Sequence, residues 1–289
     1  MSARPAKPRV VVVADQRKGG VRDAIAGSLA LIDRHATLVA VDLDLCLDLS
    51  AVRADRLIAF GGDGTILSAA RRMKHRQIPV IGVNLGRFGF MAEFSVSELR
   101  DRLGQLLSGD YPISQRMMLE CRVVRGKECL LSSLALNEVA VSRGALSRLI
   151  SISLSIDGEQ VNSFSGDGLI VSTPVGSTAH SLAAGGPILD PHLEAFVITG
   201  ICPHTLSHRP LVIPAGRKIE LEVEEAPVVV AVTLDGQIYE ELRAGDRVQV
   251  RKARQSFKLI ETPLRTYYQT LREKLGWRGE PEYAPRSRS

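Results

Sequence analysis

The stretch Gly61-Gly62-Asp63-Gly64-Thr65-Ile66-Leu67-Ser68-Ala69-Ala70-Arg71-Arg72-Met73 follows directly on the apolar run Leu57-Ile58-Ala59-Phe60. The run has the pattern of a strand buried on both faces. After the glycines, Ile66, Leu67, Ala70 and Met73 recur at helical spacing, and Arg71 and Arg72 fall outside the apolar face. Glycine at 61, 62 and 64 opens backbone angles closed to other residues and lets a ligand come close. Thr65 is expected to open the helix, whose free N–H groups and positive dipole end favour a phosphate around Gly61, Gly62, Gly64 and Thr65. The side chain projecting from this turn is Asp63, a carboxylate suited to accept a proton or to hold a metal beside phosphate. An ordinary strand-to-helix turn with Asp63 as its cap has the same composition. No Gly-Lys-Ser/Thr closes the stretch and it lacks G-x-G-x-x-G spacing, so it is neither a Walker loop nor a dinucleotide fingerprint.

The chain on either side supplies more strands alternating with helices. Val10 to Ala14 is a continuous apolar run, Val21 to Arg34 has helical spacing, and Thr37 to Val41 reads as a short strand. Pro79 to Asn84 reads as another buried strand. This alternation predicts an α/β first domain, a Rossmann-like parallel sheet covered on both faces, over residues 1–114. Ligands gather beyond the carboxyl ends of such strands, where Asp15, Asp63 and Asn84 fall.

The pattern changes after about Ser114. Ile150-Ser151-Ile152-Ser153-Leu154-Ser155-Ile156 alternates strictly and ends at Asp157-Gly158, the chemistry of a hairpin. Residues 218–224 and 247–251 alternate in the same way. Residues 115–260 are therefore expected to form a mainly antiparallel β-sandwich. Helical spacing returns from Pro263 to Trp277, which predicts a C-terminal helix, within 261–289, packing back on the first domain.

Inside the β region, residues 165–187 are too rich in special residues for a plain strand. Leu169 to Val171 is apolar, Pro174-Val175-Gly176 breaks it, and Ser177 and Thr178 suit a helix cap that exposes N–H groups and hydroxyls. Those parts fit the polar edges of a base, a ribose or an amide; a surface loop with a cap is the plainer alternative. Asn137-Glu138 interrupts a strand pattern, and Asp235-Gly236-Gln237 has hairpin-turn chemistry.

Composition sets limits. There are 37 basic and 32 acidic side chains in 289 residues, a surplus of +5 spread along the chain, which suits anionic small molecules. Aromatic residues make up 4% of the chain, so a stacking platform for nucleic acid is not expected. Cys46, Cys121, Cys129 and Cys202 lack metal-type spacing and read as core residues of a reducing compartment. No run is long enough for a signal peptide or a membrane span, so a cytoplasmic protein with no membrane partner is expected.

These motifs together resemble the NAD kinase family over roughly residues 10–277. The resemblance rests on Gly61 to Thr65, on Gly82-Val83-Asn84 with Gly86, Gly89 and Phe90, on Asn137-Glu138, and on Asp167 through Pro187. Pro203-His204-Thr205-Leu206 with Arg209-Pro210, Asp235-x-Gln237 and Lys274 to Trp277 complete it. It implies transfer of the terminal phosphoryl of ATP, or of polyphosphate, to the adenosine-ribose 2′-hydroxyl of NAD. It also implies a divalent cation, Mg²⁺ or Mn²⁺, and a homodimer or homotetramer. By position, Asp63 matches the proton acceptor, with Gly64 beside the dinucleotide. Asn137, Glu138, Asp167, Thr178, Ala179, Ser181, Leu182, Ala183 and Gln237 match dinucleotide-holding positions, and Phe90 matches a pocket residue. His204 lies in a matching segment and is read as structural. His180 stands where the family usually carries Tyr, and Ser165 where it often carries Arg or Lys. Arg148 replaces a frequent His and is expected to restore the missing charge. A lipid or sugar kinase sharing the glycine motif, and a non-catalytic NAD-binding sensor, are the alternatives.

Overall fold

The computed structural model describes residues 7–86, 89–144, 148–204, 207–226 and 228–277, so Thr205 and Leu206 lie outside the described residues. Its first sheet has the order β2 (Thr37–Asp42), β1 (Arg9–Ala14), β3 (Arg56–Phe60), β4 (Val80–Asn84), β19 (Phe257–Ile260) and β6 (Ile113–Arg116), with the short β5 (Phe94–Ser95) beside β4. All pairs are parallel except β19 with β6. Strand β1 shows why both faces are covered. Val11 and Val13 enter one buried cluster, while Val10, Val12 and Ala14 enter another, the two-residue alternation of a pleated strand.

Helices α1 (Val21–His35) and α3 (Val96–Ser108) pack on the second of these clusters. Helix α2 (Asp63–Arg72) packs on the first through Ile66, Leu67 and Ala70. That cluster also takes in Leu136 and Val175 from the β region, which brings the glycine turn against the second body of the protein. Helix α3 starts at a Ser95/Glu98 capping box, in which each side chain accepts the other's backbone N–H.

The β region is a sandwich of two antiparallel sheets. One has the order β11 (Glu159–Gly166), β10 (Ile150–Ile156), β15 (Ile219–Glu225), β18 (Arg247–Lys252), β7 (Leu119–Arg125), β8 (Glu128–Ala135). The other runs β14 (Leu211–Pro214), β13 (Ala195–Ile201), β12 (Gly168–Ser172), β9 (Glu138–Arg143), β16 (Val230–Leu234), β17 (Ile238–Leu242). Ile150, Ile152 and Leu154 meet Val141, Val171 and Ile198 in the core between them, and the intervening serines stay outside, as their alternation predicts. Asp157 and Gly158 take left-handed angles, with φ of 53° and 86°, between β10 and β11.

The last helix, α5 (Tyr267–Leu275), begins at a Thr266/Gln269 capping box. It packs back toward the first sheet, with the Tyr267 ring 6.0 Å from that of Phe90. Helix α4 (His180–Ala183) is a single turn.

Gly82 in β4 decides how closely the chain after β4 can return over the sheet. A β-carbon there would lie 2.7 Å from Ile66 Cδ1 and 2.9 Å from the Ala92 Cα. Gly82→Ala should therefore destabilise the fold by about 1–3 kcal/mol, the usual cost of overpacking. Urea unfolding of the two proteins checks this, and equal midpoints would show that the backbone yields.

Candidate active site

The helix α2 begins two residues earlier than the sequence suggests. Gly62 is its N-cap, without a side-chain cap, so Asp63 and Gly64 belong to the first turn and not to a loop ahead of it. Thr65 does not face a ligand. It is 1% exposed and its hydroxyl, which has no hydrogen-bond partner, sits under Gly61. The helical turn points the Thr65 side chain into the core, and the phosphate expectation rests on the backbone of the turn.

The Asp63 carboxylate turns toward the segment after β4. It accepts the N–H groups of Phe90 at 2.9 Å, Met91 at 3.0 Å and Ala92 at 3.2 Å. Gly89 lies so close to the same carboxylate that any β-carbon would collide with it. A second carboxylate does the same on the opposite wall. Asp235, in the hairpin between β16 and β17, accepts Leu136 N–H at 2.9 Å, Asn137 N–H at 2.8 Å and Glu138 N–H at 3.1 Å. Turn chemistry alone hid this role, since its partners lie about a hundred residues away in sequence.

Gln237, from the same hairpin, joins the two walls. Its Nε2 donates to the Gly64 carbonyl at 2.8 Å, and its Oε1 accepts from Arg71 Nη1 at 2.8 Å. Asp63, Gly64, Asn137, Glu138 and Gln237 are thereby brought together. Two acceptors in this group are buried and unpaired, Asn137 Oδ1 and Glu138 Oε2. Burial, with the nearby Asp235, pushes the Glu138 carboxyl up to about 8. Burial pushes Asp235 up as well, while its three backbone donors and Arg71 oppose that push.

Residues 172–181 run alongside Asn137, and their hydroxyls are not offered to a ligand as the sequence suggests. Thr173 Oγ1 donates to the Leu136 carbonyl at 2.6 Å and accepts from Gly176 N–H at 3.2 Å. Ser177 Oγ donates to the Pro174 carbonyl at 2.6 Å, and Thr178 Oγ1 to that of Val175 at 3.2 Å. Ser181 is fully buried against Thr199, 2.9 Å away. A loop packed between sheets must satisfy its own backbone, and these hydroxyls do so. Ala179 and Leu182 are half-buried, while His180 and Ala183 are exposed, and His180 makes no ring contact among the described residues.

Arg148, Ser165 and Asp167 are not part of this gathering. Asp167 precedes β12 and pairs with Arg143 at 2.6 Å, at the end of β9 opposite Glu138, roughly 17 Å along the strand. The Arg143 guanidinium holds Asp167 below the usual carboxylate range. Arg148 is exposed before β10, so the cation beside Asp167 is Arg143, which the sequence reading missed. The Ser165 carbonyl accepts the backbone N–H of His204 at 3.0 Å.

Residues 28–111 match the family model described as the ATP-NAD kinase N-terminal domain, and residues 136–262 match that of the C-terminal domain. The NAD kinase of Rhodopirellula baltica is 44% identical over 272 residues, covering 94% of this chain and 88% of that protein. This chain belongs to the NAD kinase family. The NAD kinase of Geobacter sulfurreducens is 44% identical over 78% of this chain and 80% of its own length. An NAD kinase from Archaeoglobus fulgidus, solved in complex with ATP, has a TM-score of 0.74 and 27% identity, covering 93% of this chain and 97% of that one. The fold is also that of yeast NADH kinase, solved with NADH, at a TM-score of 0.88 and 24% identity, covering 97% of this chain and 91% of that one.

Glu138 also gives this NAD kinase fold a pH signature. With its carboxyl raised to about 8 from an ordinary 4.5, the folded state holds a proton that the unfolded chain releases. This contribution is full at low pH and is lost as pH rises through that window. Between roughly pH 5.5 and pH 8 the wild type should lose at least about 1 kcal/mol more stability than Glu138→Gln. Denaturant midpoints across the range test it, and parallel profiles would place the proton elsewhere.

Proposed function

We propose that this NAD kinase transfers the terminal phosphoryl of ATP, or of polyphosphate, to the 2′-hydroxyl of the adenosine ribose of NAD, giving NADP. The observation that carries this reading is the pinned Asp63 carboxylate at an uncapped helix N-terminus, joined through Gln237 to the wall that holds the unpaired Asn137 Oδ1 and Glu138 Oε2. Ribose hydroxyls are donors and those two atoms are acceptors without partners, so binding satisfies both sides. Asp63 accepts the 2′-hydroxyl proton as the oxygen bonds to phosphorus and the bond to the ADP oxygen breaks. A carboxylate has about four lone-pair sites, and three amides leave one free for that proton. The same amides fix the carboxylate's direction before substrate arrives, and positioning supplies most of the rate in phosphoryl transfer.

The start of α2 offers its N–H groups to the donor phosphates at Gly62 and Gly64, with Gly61 beside them as a turn residue whose own N–H donates to the Val83 carbonyl at 2.8 Å. A divalent cation, Mg²⁺ or Mn²⁺, neutralises phosphate charge when bound. Among the described residues no group of three or more His, Cys, Asp or Glu forms a cage. The residues present fit an ion carried on the phosphates and not one caged by protein carboxylates. Ala179, Leu182 and Ala183 line the acceptor beside His180, while Thr178 and Ser181 hold the segment's shape. Asp167 and Ser165, with Arg148 nearby, contact the dinucleotide's other end. Residues 7–116 with 257–277 form the donor-side domain, and residues 117–256 the acceptor-side one. A homodimer or homotetramer in the cytoplasm completes the proposal; exposed Leu211 and Val212 on the edge strand β14 suit a second copy. No helix among the described residues is long and apolar enough to cross a membrane.

NADP formation from NAD with ATP or polyphosphate tests the reaction, and no product with either donor ends it. Asp63→Asn should keep NAD affinity and lower kcat by about 10²- to 10⁴-fold, the span of general-base catalysis. Calorimetry and initial rates together measure this, and a near-normal kcat would remove Asp63 from the role. At His180 the exposed imidazole offers a ligand less flat area than a phenol does. His180→Tyr should tighten NAD binding by about 0.5–1 kcal/mol, as for aromatic pairs; an unchanged Kd would leave His180 in solvent.

A further inference from the structure

The loop that holds Asp63 is itself held, by the far end of the chain. Beyond β19 the backbone passes back across residues 90–93 before α5 begins. There Thr262 N–H donates to Glu93 Oε2 at 2.9 Å, and Arg265 Nη1 donates to the Glu93 carbonyl oxygen at 2.8 Å. Two residues further on, the Tyr267 ring rests against Phe90, and its hydroxyl donates to the Leu189 carbonyl at 3.3 Å. Glu93 directly follows Ala92, the last of the three residues whose amides bind Asp63.

The Glu93 side chain borders a small cavity of about 150 Å³, shared with Phe90, Arg116, Glu261, Thr266 and Tyr267. Three charged groups face it from the elements packed around it: Glu261 after β19, Arg116 of β6, and Arg265 before α5. Arg116 is also paired with Glu261, which divides its attraction between two carboxylates. Burial, reinforced by Glu261, pushes the Glu93 carboxyl up to about 7. A desolvated carboxyl tied to a backbone N–H is a costly group to keep on the first sheet unless its position matters.

We propose that Glu93 is a positioning residue for phosphoryl transfer: anchored on the Thr262 N–H, it fixes the backbone of residues 90–92 and so the direction of the Asp63 carboxylate. The proposal rests on the reading of Asp63 as the proton acceptor. Glu93 touches neither Asp63 nor the acceptor wall, so its effect reaches the reaction only through the three amides. A misplacement of about 1 Å in a reacting group can cost on the order of 100-fold in rate. The acceptor wall at Asn137 and Glu138 is fixed separately by Asp235, so ground-state binding of NAD is left intact.

Two variants separate anchoring from simple damage. Glu93→Ala leaves the Thr262 N–H without its acceptor, whereas Glu93→Gln keeps an oxygen in the same place. In Glu93→Ala kcat should fall by about 10- to 100-fold with KM for NAD within about twofold of wild type. Glu93→Gln should restore kcat to within about threefold of wild type. Hydrogen exchange supplies a readout independent of turnover. The amides of Phe90, Met91 and Ala92 should exchange at least about tenfold faster in Glu93→Ala, with those of Val80 to Asn84 unchanged. A wild-type kcat in Glu93→Ala, a Gln variant as impaired as the Ala variant, or equal loosening of β4 would each overturn the proposal. If the wild type forms no NADP, the functional reading fails by that result, and the exchange comparison alone upholds or overturns the anchoring.

Discussion

Asp63 accepts three consecutive backbone N–H groups, and that grip sets the distance between the glycine turn and everything that faces it. Backbone amides cannot rotate away as side-chain donors can, so the carboxylate is fixed in direction at no further entropic cost when a ligand arrives. Asp235 grips residues 136–138 in the same manner on the opposing wall. Each carboxylate sits on one element and pins a segment of another, so the cleft has two rigid sides. Gln237 then sets their spacing, because it hydrogen-bonds to both Gly64 and Arg71 of α2 from the hairpin that carries Asp235.

The polar residues of the cleft divide by whether the fold already uses them. Hydroxyls at Ser172, Thr173 and Ser177 are spent on the backbone, and that of Ser181 on Thr199, which is what a loop packed between sheets requires. Asn137 Oδ1 and Glu138 Oε2 have no such partner. An unpaired buried acceptor costs about 1–3 kcal/mol, so these atoms are a standing expense of the empty protein that a donor-rich ligand removes. Glu138 reduces its own cost by holding a proton well above the ordinary carboxylate range.

Periodicity made β1 to β4, the helices α1 and α5 and the alternating sandwich strands legible, because each buries a repeat of apolar side chains. The chain between Ser95 and Ser108 holds a Ser95/Glu98 capping box that marks the start of α3 as plainly. Strand β19 was not separable from the sandwich by pattern, since its place beside β4 depends on a pairing across more than 170 residues. Helix α2 starts two residues ahead of Thr65, inside the glycine stretch, because a helix tolerates Gly64 in its first turn, where few backbone bonds depend on it. The resemblance of motifs located Asn137 and Glu138, but no local rule distinguishes the Asp235 carboxylate from that of any Asp-Gly hairpin.

The placement of charge around Asp167 depends on strand length. Strand β9 runs from Glu138, paired with Ser172 of β12, to Arg143, one step beyond the pairing of Ser142 with Gly168, so whatever binds at one end lies roughly 17 Å from the other. Ser165 removes a cation from that far end by sequence, yet the end is not left acidic. Arg143, the last residue of β9, reaches Asp167 and pairs with it through Nε. An anionic group near this end would meet a neutralised pair, where an isolated carboxylate would repel it. The cation at this end comes from the neighbouring strand, and register, not proximity in sequence, brings it there.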